Sequence, residues 1–335
     1  MKSFDNYSLL RHNTFAINVK SRHYVEYDNI KDLHELLHDL AQEQKLFIGR
    51  GSNLLFEGDF DGCVVHSNIN DIAVEKSDAN HVWLRAGAGV HWDSFVAYCV
   101  DHGFYGAENL SLIPGEVGAA AAQNIGAYGA EASQIIEAVE CVDTMDNSED
   151  MVDVAHCDYS YRHSLFRTHP GRYAIHHVVF RLSRTFSPNL SYSALRSQFG
   201  DKNGYTVADI RRYVIQLREN KLPDPRRVGN AGSFFMNPLV GEADVLRVTG
   251  ITPGIPYFPG KEEGTYKLPA AALIENCGWR GKRIGNVGVW DTQPLVLVNY
   301  GGATGAEVAD LATRVAKSVS DKYGITLTPE VQYIK

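Results

Sequence analysis

The sequence predicts a mixed α and β fold divided among two or three domains. Three observations carry this. Segments with helical spacing alternate with short β-branched or aromatic runs from the start of the chain. At 335 residues the chain exceeds one typical core. Two glycine-dense stretches, 49–54 and 112–129, break the pattern at places where a chain presents backbone rather than side chains.

In order, Leu33, Leu36, Leu37 and Leu40 recur at helical spacing behind Asn29, a good N-cap, with Asp32 in the first turn. Leu46-Phe47-Ile48 reads as a buried strand running into Gly49, and Cys63–His66 and Val82–Leu84 read as further strands. Trp92, Phe95, Val96 and Cys99 mark a second helix, and Ala174–Leu182 the longest β-branched run. A third helix over 206–220 carries Val207, Ile210, Val214 and Leu217 on one face. It stops at Lys221-Leu222-Pro223-Asp224-Pro225, where two prolines make a stiff connector and the main domain boundary is expected. Beyond it come a short helix near Ala270–Ile274, a buried strand at Leu295–Val298 and a long amphipathic helix through Val308, Leu311, Ala312, Val315 and Val319. The tail 329–334 is strand-like and is expected to rejoin an earlier sheet.

A net charge of −8 disfavours nucleic acid or an anionic membrane as the main partner. Five dispersed cysteines without a C-x-x-C pair suit reduced thiols. No apolar run is long enough to span a bilayer and the start of the chain has no apolar signal core, so a soluble cytoplasmic protein is expected. His34 and His38 lie four apart on a helix, but no H-E-x-x-H arrangement accompanies them and no metal site is expected.

In 112–129, Gly115, Gly118, Gly126 and Gly129 recur among alanines. Two readings stand: a long glycine-rich surface loop, or a bed on which backbone amides approach a flat, phosphate-bearing ligand while Gln123 and Asn124 read a ring edge. Gly49-Arg50-Gly51-Ser52-Asn53-Leu54 follows a strand directly. It lacks the third glycine of a dinucleotide fingerprint and the Gly-Lys-Ser/Thr of a P-loop. Alone it is a tight turn or a phosphate turn; with a second such stretch, a diphosphate-bearing cofactor becomes the better account. Ser233, within Gly229–Phe235, has no neighbouring histidine and no nucleophile elbow, so it is a proton donor or part of a turn. Arg162, in Tyr159–Ser164, offers a planar fork for a carboxylate.

Together these segments resemble the UDP-N-acetylenolpyruvoylglucosamine reductase family, in the family's order and over nearly the whole chain. The motifs are Asn13-Thr14-Phe15, 49–56, Ile113-Pro114-Gly115 through Gln123-Asn124-Ile125-Gly126-Ala127-Tyr128-Gly129, Tyr161-Arg162, 221–225, 229–235 and Pro329-Glu330-Val331.

The resemblance implies an α+β fold of the vanillyl-alcohol-oxidase type. Two FAD-binding α+β subdomains are expected at 1–66 and 67–222, and a third, substrate-binding domain at 223–323, with the terminal strand 324–335 packing back near the active site. It implies NADPH as hydride donor, non-covalent FAD (no histidine stands in 49–56), and UDP-GlcNAc-enolpyruvate as substrate. No nucleic acid, membrane or obligate protein partner is implied. Catalytic roles fall on Arg162 and Glu330, stabilising an enolate, and on Ser233, protonating the adjacent carbon. FAD contacts are expected from Gly49, Arg50, Gly51, Ser52, Asn53, Leu54, Pro114, Gly115, Gly118, Ala119, Asn124, Gly126, Ala127, Tyr128 and Arg162. Substrate contacts are expected from Lys221, Asn237, Lys267 and Gln293, and from Tyr192, which belongs to the tyrosine-loop subtype. The chain departs from the usual pattern at Met236, Trp290, Pro294 and Ala121.

Overall fold

The computed structural model describes all 335 residues, and they separate into two units. The first comprises residues 1–7, 21–50 and 61–218; the second comprises 8–20, 51–60 and 219–335. The chain therefore passes from one unit to the other between Arg50 and Gly51, inside the first glycine-dense stretch.

In the first unit, Lys2–Ser8, Lys20–Tyr27, Phe60–Ser67 and Lys45–Ile48 form a four-stranded sheet in that spatial order. Lys45–Ile48 runs parallel to Phe60–Ser67, with Ile48 opposite His66. The helix Ile30–Asp39 links Lys20–Tyr27 to Lys45–Ile48, the strands on either side of Phe60–Ser67; Asn29 caps it by accepting from the Asp32 N–H. Its Leu33, Leu36 and Leu37 share a core with Val25, Cys63 and Val65, and with Val142 and Ala174 of a second sheet. That second sheet has five antiparallel strands in the order Ser148–Asp153, Ile136–Asp143, Tyr173–Ser183, His81–Gly87, Ile72–Ser77. The long β-branched run lies at its centre, covered by Trp92, Phe95, Val96 and Cys99 of the helix Trp92–Asp101.

Residues 117–123 correct the reading of 112–129 as loop. Val117–Gln123 is a helix, and Val117, Ala120 and Ala121 are buried in the core. Alanine favours helix, and small side chains let that helix lie close against its neighbours. A Cβ on Gly118 would sit 2.7 Å from Ala88 Cβ. Little apolar area per residue is therefore compatible with a core position when the approach is this close.

The second unit is built on a four-stranded sheet, Gly229–Ser233, Val296–Asn299, Val287–Val289 and Arg283–Ile284, with a separate three-stranded sheet, Leu239–Gly241, Thr265–Lys267 and Phe258–Pro259. The helix Gly305–Tyr323 opens on a reciprocal capping box between Thr304 and Glu307 and buries Val308, Leu311, Ala312, Val315 and Val319. The tail does rejoin an earlier strand: Gln332–Ile334 pairs in parallel with Leu54–Phe56.

All five cysteines are free thiols. No helix is long and apolar enough to cross a membrane.

Candidate active site

In the first unit the two glycine-dense stretches meet. A Cβ on Gly49 would lie 3.1 Å from a Glu116 carboxylate oxygen and 3.2 Å from Ala119 Cβ. The Arg50 guanidinium donates to Nε2 of His91. The backbone of 115–118 is fastened to 88–92: Trp92 N–H donates to Gly115 O at 3.1 Å, Val117 N–H to Val90 O at 2.9 Å and Gly118 N–H to Ala88 O at 3.0 Å. Pro114 is exposed and Gly115 takes φ +132°.

The other end of the stretch carries Arg162. Arg162 occupies a left-handed position (φ +56°) in the turn closed by reciprocal Ser160 and His163 backbone bonds, and its guanidinium donates to Gly126 O at 2.7 Å. A Cβ on Gly126 would come within 2.9 Å of the same guanidinium, so glycine is what lets the charge close on the backbone. Ala127 pairs with Ala130 in a two-residue ladder beside it. Asn124, also left-handed at φ +43°, is fully buried. Its amide donates to Ser160 O at 2.8 Å and accepts from Ser133 N–H at 3.0 Å. Both ends of this side chain thus engage protein, holding the Arg162 turn against the glycine stretch, whereas the sequence suggested an amide turned to a ligand.

Tyr128 makes an edge contact with Tyr192, ring centroids 5.0 Å apart. The loop ahead of Tyr192 is stapled to the stretch by Asn189, which donates to Gly129 O at 2.9 Å, and by Asn109, which donates to the carbonyls of Tyr128 and Asn189, both at 2.9 Å. Burial raises the Tyr128 phenol above its ordinary range.

The second unit assembles the later motifs. Ser233 ends a strand and lies opposite Val296, directly after the left-handed Gly232. Glu330 N–H donates to Phe234 O at 2.8 Å, Phe235 bridges Pro329, and Met236 N–H donates to Thr328 O at 2.9 Å. Ser233 and Glu330, almost 100 residues apart in sequence, are thus brought to one corner. Asn53 joins it: its side chain donates to Glu330 O at 3.1 Å, and its own carbonyl accepts from Gln332 N–H at 3.0 Å. Gly51 (φ +63°) turns tightly on the first motif, since a Cβ there would be 2.0 Å from His12 O; Ser52 is half-buried and Leu54 buried. Lys221 O accepts from the Thr292 hydroxyl at 2.8 Å, next to Gln293. Asn237 caps the helix Ala270–Asn276 by accepting from Ala270 N–H at 2.9 Å, and Lys267 lies opposite Leu239 in the small sheet.

For a flavin dinucleotide the donor set is suitable. In the first unit Arg50 is a donor suited to anionic oxygens, and the glycines and alanines of the abutting stretches keep bulky side chains off the backbone beside it. Sequence reasoning missed the groups that hold this arrangement: Asn109, Glu116 and His66. Only Glu116 left a trace, as the lone charged residue in 112–129. The one cluster with metal-ligand spacing, Glu140, His176 and His177, has its carboxylate engaged at 2.7 and 2.9 Å by Arg85, a cation already in place.

Residues 21–150 match the FAD binding domain family, and residues 224–334 match the C-terminal domain of UDP-N-acetylenolpyruvoylglucosamine reductase. The crystal structure of UDP-N-acetylenolpyruvylglucosamine reductase from Thermus caldophilus superposes with a TM-score of 0.70 at 20% identity, covering 100% of this chain and 98% of that one, which establishes the shared fold. The UDP-N-acetylenolpyruvoylglucosamine reductases of Bacteroides fragilis (strain YCH46) and Porphyromonas gingivalis (strain ATCC 33277) are each 44% identical, over 98% of this chain and 99% and 98% of theirs. With an FAD binding domain, the family's C-terminal domain and this identity along almost its full length, the chain belongs to the UDP-N-acetylenolpyruvoylglucosamine reductase family.

Proposed function

We propose that this protein is an FAD-dependent oxidoreductase of peptidoglycan precursor synthesis, reducing the enolpyruvyl ether of UDP-N-acetylglucosamine to the D-lactyl ether of UDP-N-acetylmuramate with NADPH, in the cytoplasm. Relatives that carry this reaction in their names, at 44% identity, support it. FAD when bound supplies hydride transfer, from NADPH and on to the vinyl carbon. The roles of the chain's own residues follow from the charge that this addition creates. Hydride on the vinyl carbon leaves negative charge alpha to a carboxylate. Arg162 takes that carboxylate in its planar fork, and with Glu330 stabilises the enolate form. Ser233 delivers the proton to the adjacent carbon; a hydroxyl keeps its proton at neutral pH and is acidic enough toward such a base.

The observation that carries the assignment of Ser233 and Glu330 is their common corner, made by the Glu330-to-Phe234 backbone bond. Residues 1–66 and 67–222 serve as FAD subdomains and 223–323 as the substrate domain, with 324–335 returning to the site. Gly49–Leu54, Pro114, Gly115, Gly118, Ala119, Gly126, Ala127, Tyr128 and Arg162 line the FAD, with Asn124 positioning them. Tyr192, Lys221, Asn237, Lys267 and Gln293 hold the sugar nucleotide. The test is anaerobic: NADPH bleaches the yellow flavin, and the enolpyruvyl sugar nucleotide restores it. If substrate restores no colour, the reductase reading is wrong. Ser233→Ala should still be bleached at the normal rate but turn over about 10²–10⁴-fold more slowly, the range of general acid catalysis. Loss of bleaching would remove Ser233 from that role.

A further inference from the structure

Glu116 is a puzzle in a place expected to take a diphosphate. It is a carboxylate only 4% exposed, the one charged side chain of 112–129, and its oxygen lies against Gly49 of the other glycine-dense stretch. Left alone, a buried carboxylate there would be costly to desolvate and would repel an anionic ligand.

It is not alone. Nε2 of His66 lies 3.0 and 3.2 Å from the two Glu116 oxygens, and Nδ1 lies 3.6 Å from an oxygen of Glu26. Tyr24 and Lys2 in turn donate to Glu26, at 3.1 and 3.2 Å. Burial opposes charging of His66, but Glu116 and then Glu26 outweigh it and raise its pKa. His66 is thus hydrogen-bonded to Glu116 through Nε2 and faces the Glu26 carboxylate across 3.6 Å at Nδ1, so both neighbours favour a positive ring. Its position is what gives it a consequence. His66 stands opposite Ile48, the residue before Gly49, on the parallel strand Phe60–Ser67, while Glu116 stands one residue after Gly115. The pair therefore ties the root of one stretch to the other, beside the contacts of Gly49 with Ala119 and of Arg50 with His91.

We propose that His66 and Glu116 form a buried latch that fixes the spacing of the two glycine-dense stretches and neutralises the carboxylate between them, so that both are positioning residues for flavin binding. The inference rests on the FAD reading above. Its test is the affinity of flavin-stripped protein for FAD, read by quenching of flavin fluorescence. Glu116→Gln, which keeps shape and loses charge, and His66→Gln should each weaken FAD binding about tenfold, equivalent to about 1.4 kcal/mol. The double variant should be no weaker than the worse single, because one interaction has been removed twice. Hydrogen exchange on the stripped single variants should quicken together in residues 45–50 and 112–119. Glu140→Gln serves as control. It breaks the Arg85 pair, which is made with neither stretch, in the same unit, and should lower thermal stability while leaving FAD affinity within twofold of the parent. Single variants that bind FAD like the parent would overturn the latch. So would an equal loss in Glu140→Gln, which would mark general destabilisation. A parent protein that takes up no FAD would instead overturn the cofactor reading, and the latch with it.

Discussion

Replacing Asn124 with alanine tests whether this residue holds the Arg162 turn. The side chain is fully buried and makes two bonds, at 2.8 Å to Ser160 O and 3.0 Å from Ser133 N–H. Each is worth about 1 kcal/mol net. The backbone at φ +43°, ψ +60° adds a separate term, since asparagine tolerates the left-handed region and alanine pays about 1 kcal/mol there. Asn124→Ala should therefore destabilise the first unit by about 3 kcal/mol, a large share of a typical domain's stability. Asn124→Gly loses the same bonds without the backbone strain and should cost about 2 kcal/mol. The assay is urea unfolding read by hydrogen exchange in peptides from 117–143, which isolates the first unit from the second. The turn that places Arg162 should loosen in both variants, lowering kcat. A loss below about 1 kcal/mol in the alanine variant would refute the staple. Equal losses in both variants would refute the left-handed contribution.

Two further outcomes follow from the structure. Burial, together with neighbouring His177 and Arg85, depresses His176 to about 4, and burial and Arg85 lower His177 too. The unfolded chain, with histidines near 6.5, then binds protons first. Stability from this cluster is full above pH 6.5 and is lost as pH falls toward 4, by on the order of 2–3 kcal/mol. Urea midpoints between pH 4.5 and 7.5 should slope accordingly, and a His176→Phe variant should flatten the slope. Two glycines should respond in opposite directions to alanine. At Gly305 a Cβ would fall 1.8 Å from Phe56 O, so Gly305→Ala should lower the melting temperature sharply. At Gly250, inside the helix Glu242–Ile251 with nothing within 4 Å, Gly250→Ala should stabilise by about 0.5–1 kcal/mol. A destabilised Gly250→Ala would contradict the open space there.

Local signals were legible in the sequence because they are short-range. Asn29 capping a leucine-striped helix, the stop at Pro223 and Pro225, and the helix over 305–323 rest on spacing and chemistry within a few turns. The ordered motifs were legible too, and carried the family, the flavin and the reaction. Spacing alone could not tell that Val117–Gln123 is a helix with core alanines. Its burial depends on Ala88 and on the central sheet, contributed by other parts of the chain.

What the sequence by itself determined, then, is which strongly patterned segments are helix or strand and to which family the ordered motifs belong. Propensity, periodicity and side-chain type are properties of neighbours along the chain. Only the tertiary structure decided what those residues touch. It turned the amide of Asn124 onto Ser160 and Ser133, set Glu330 against the residue after Ser233, and gave the solitary acid Glu116 its counter-charge in His66, 50 residues away. Each is a contact between distant segments, created by sheet register and buried packing, and no local pattern records a partner that folding alone brings near.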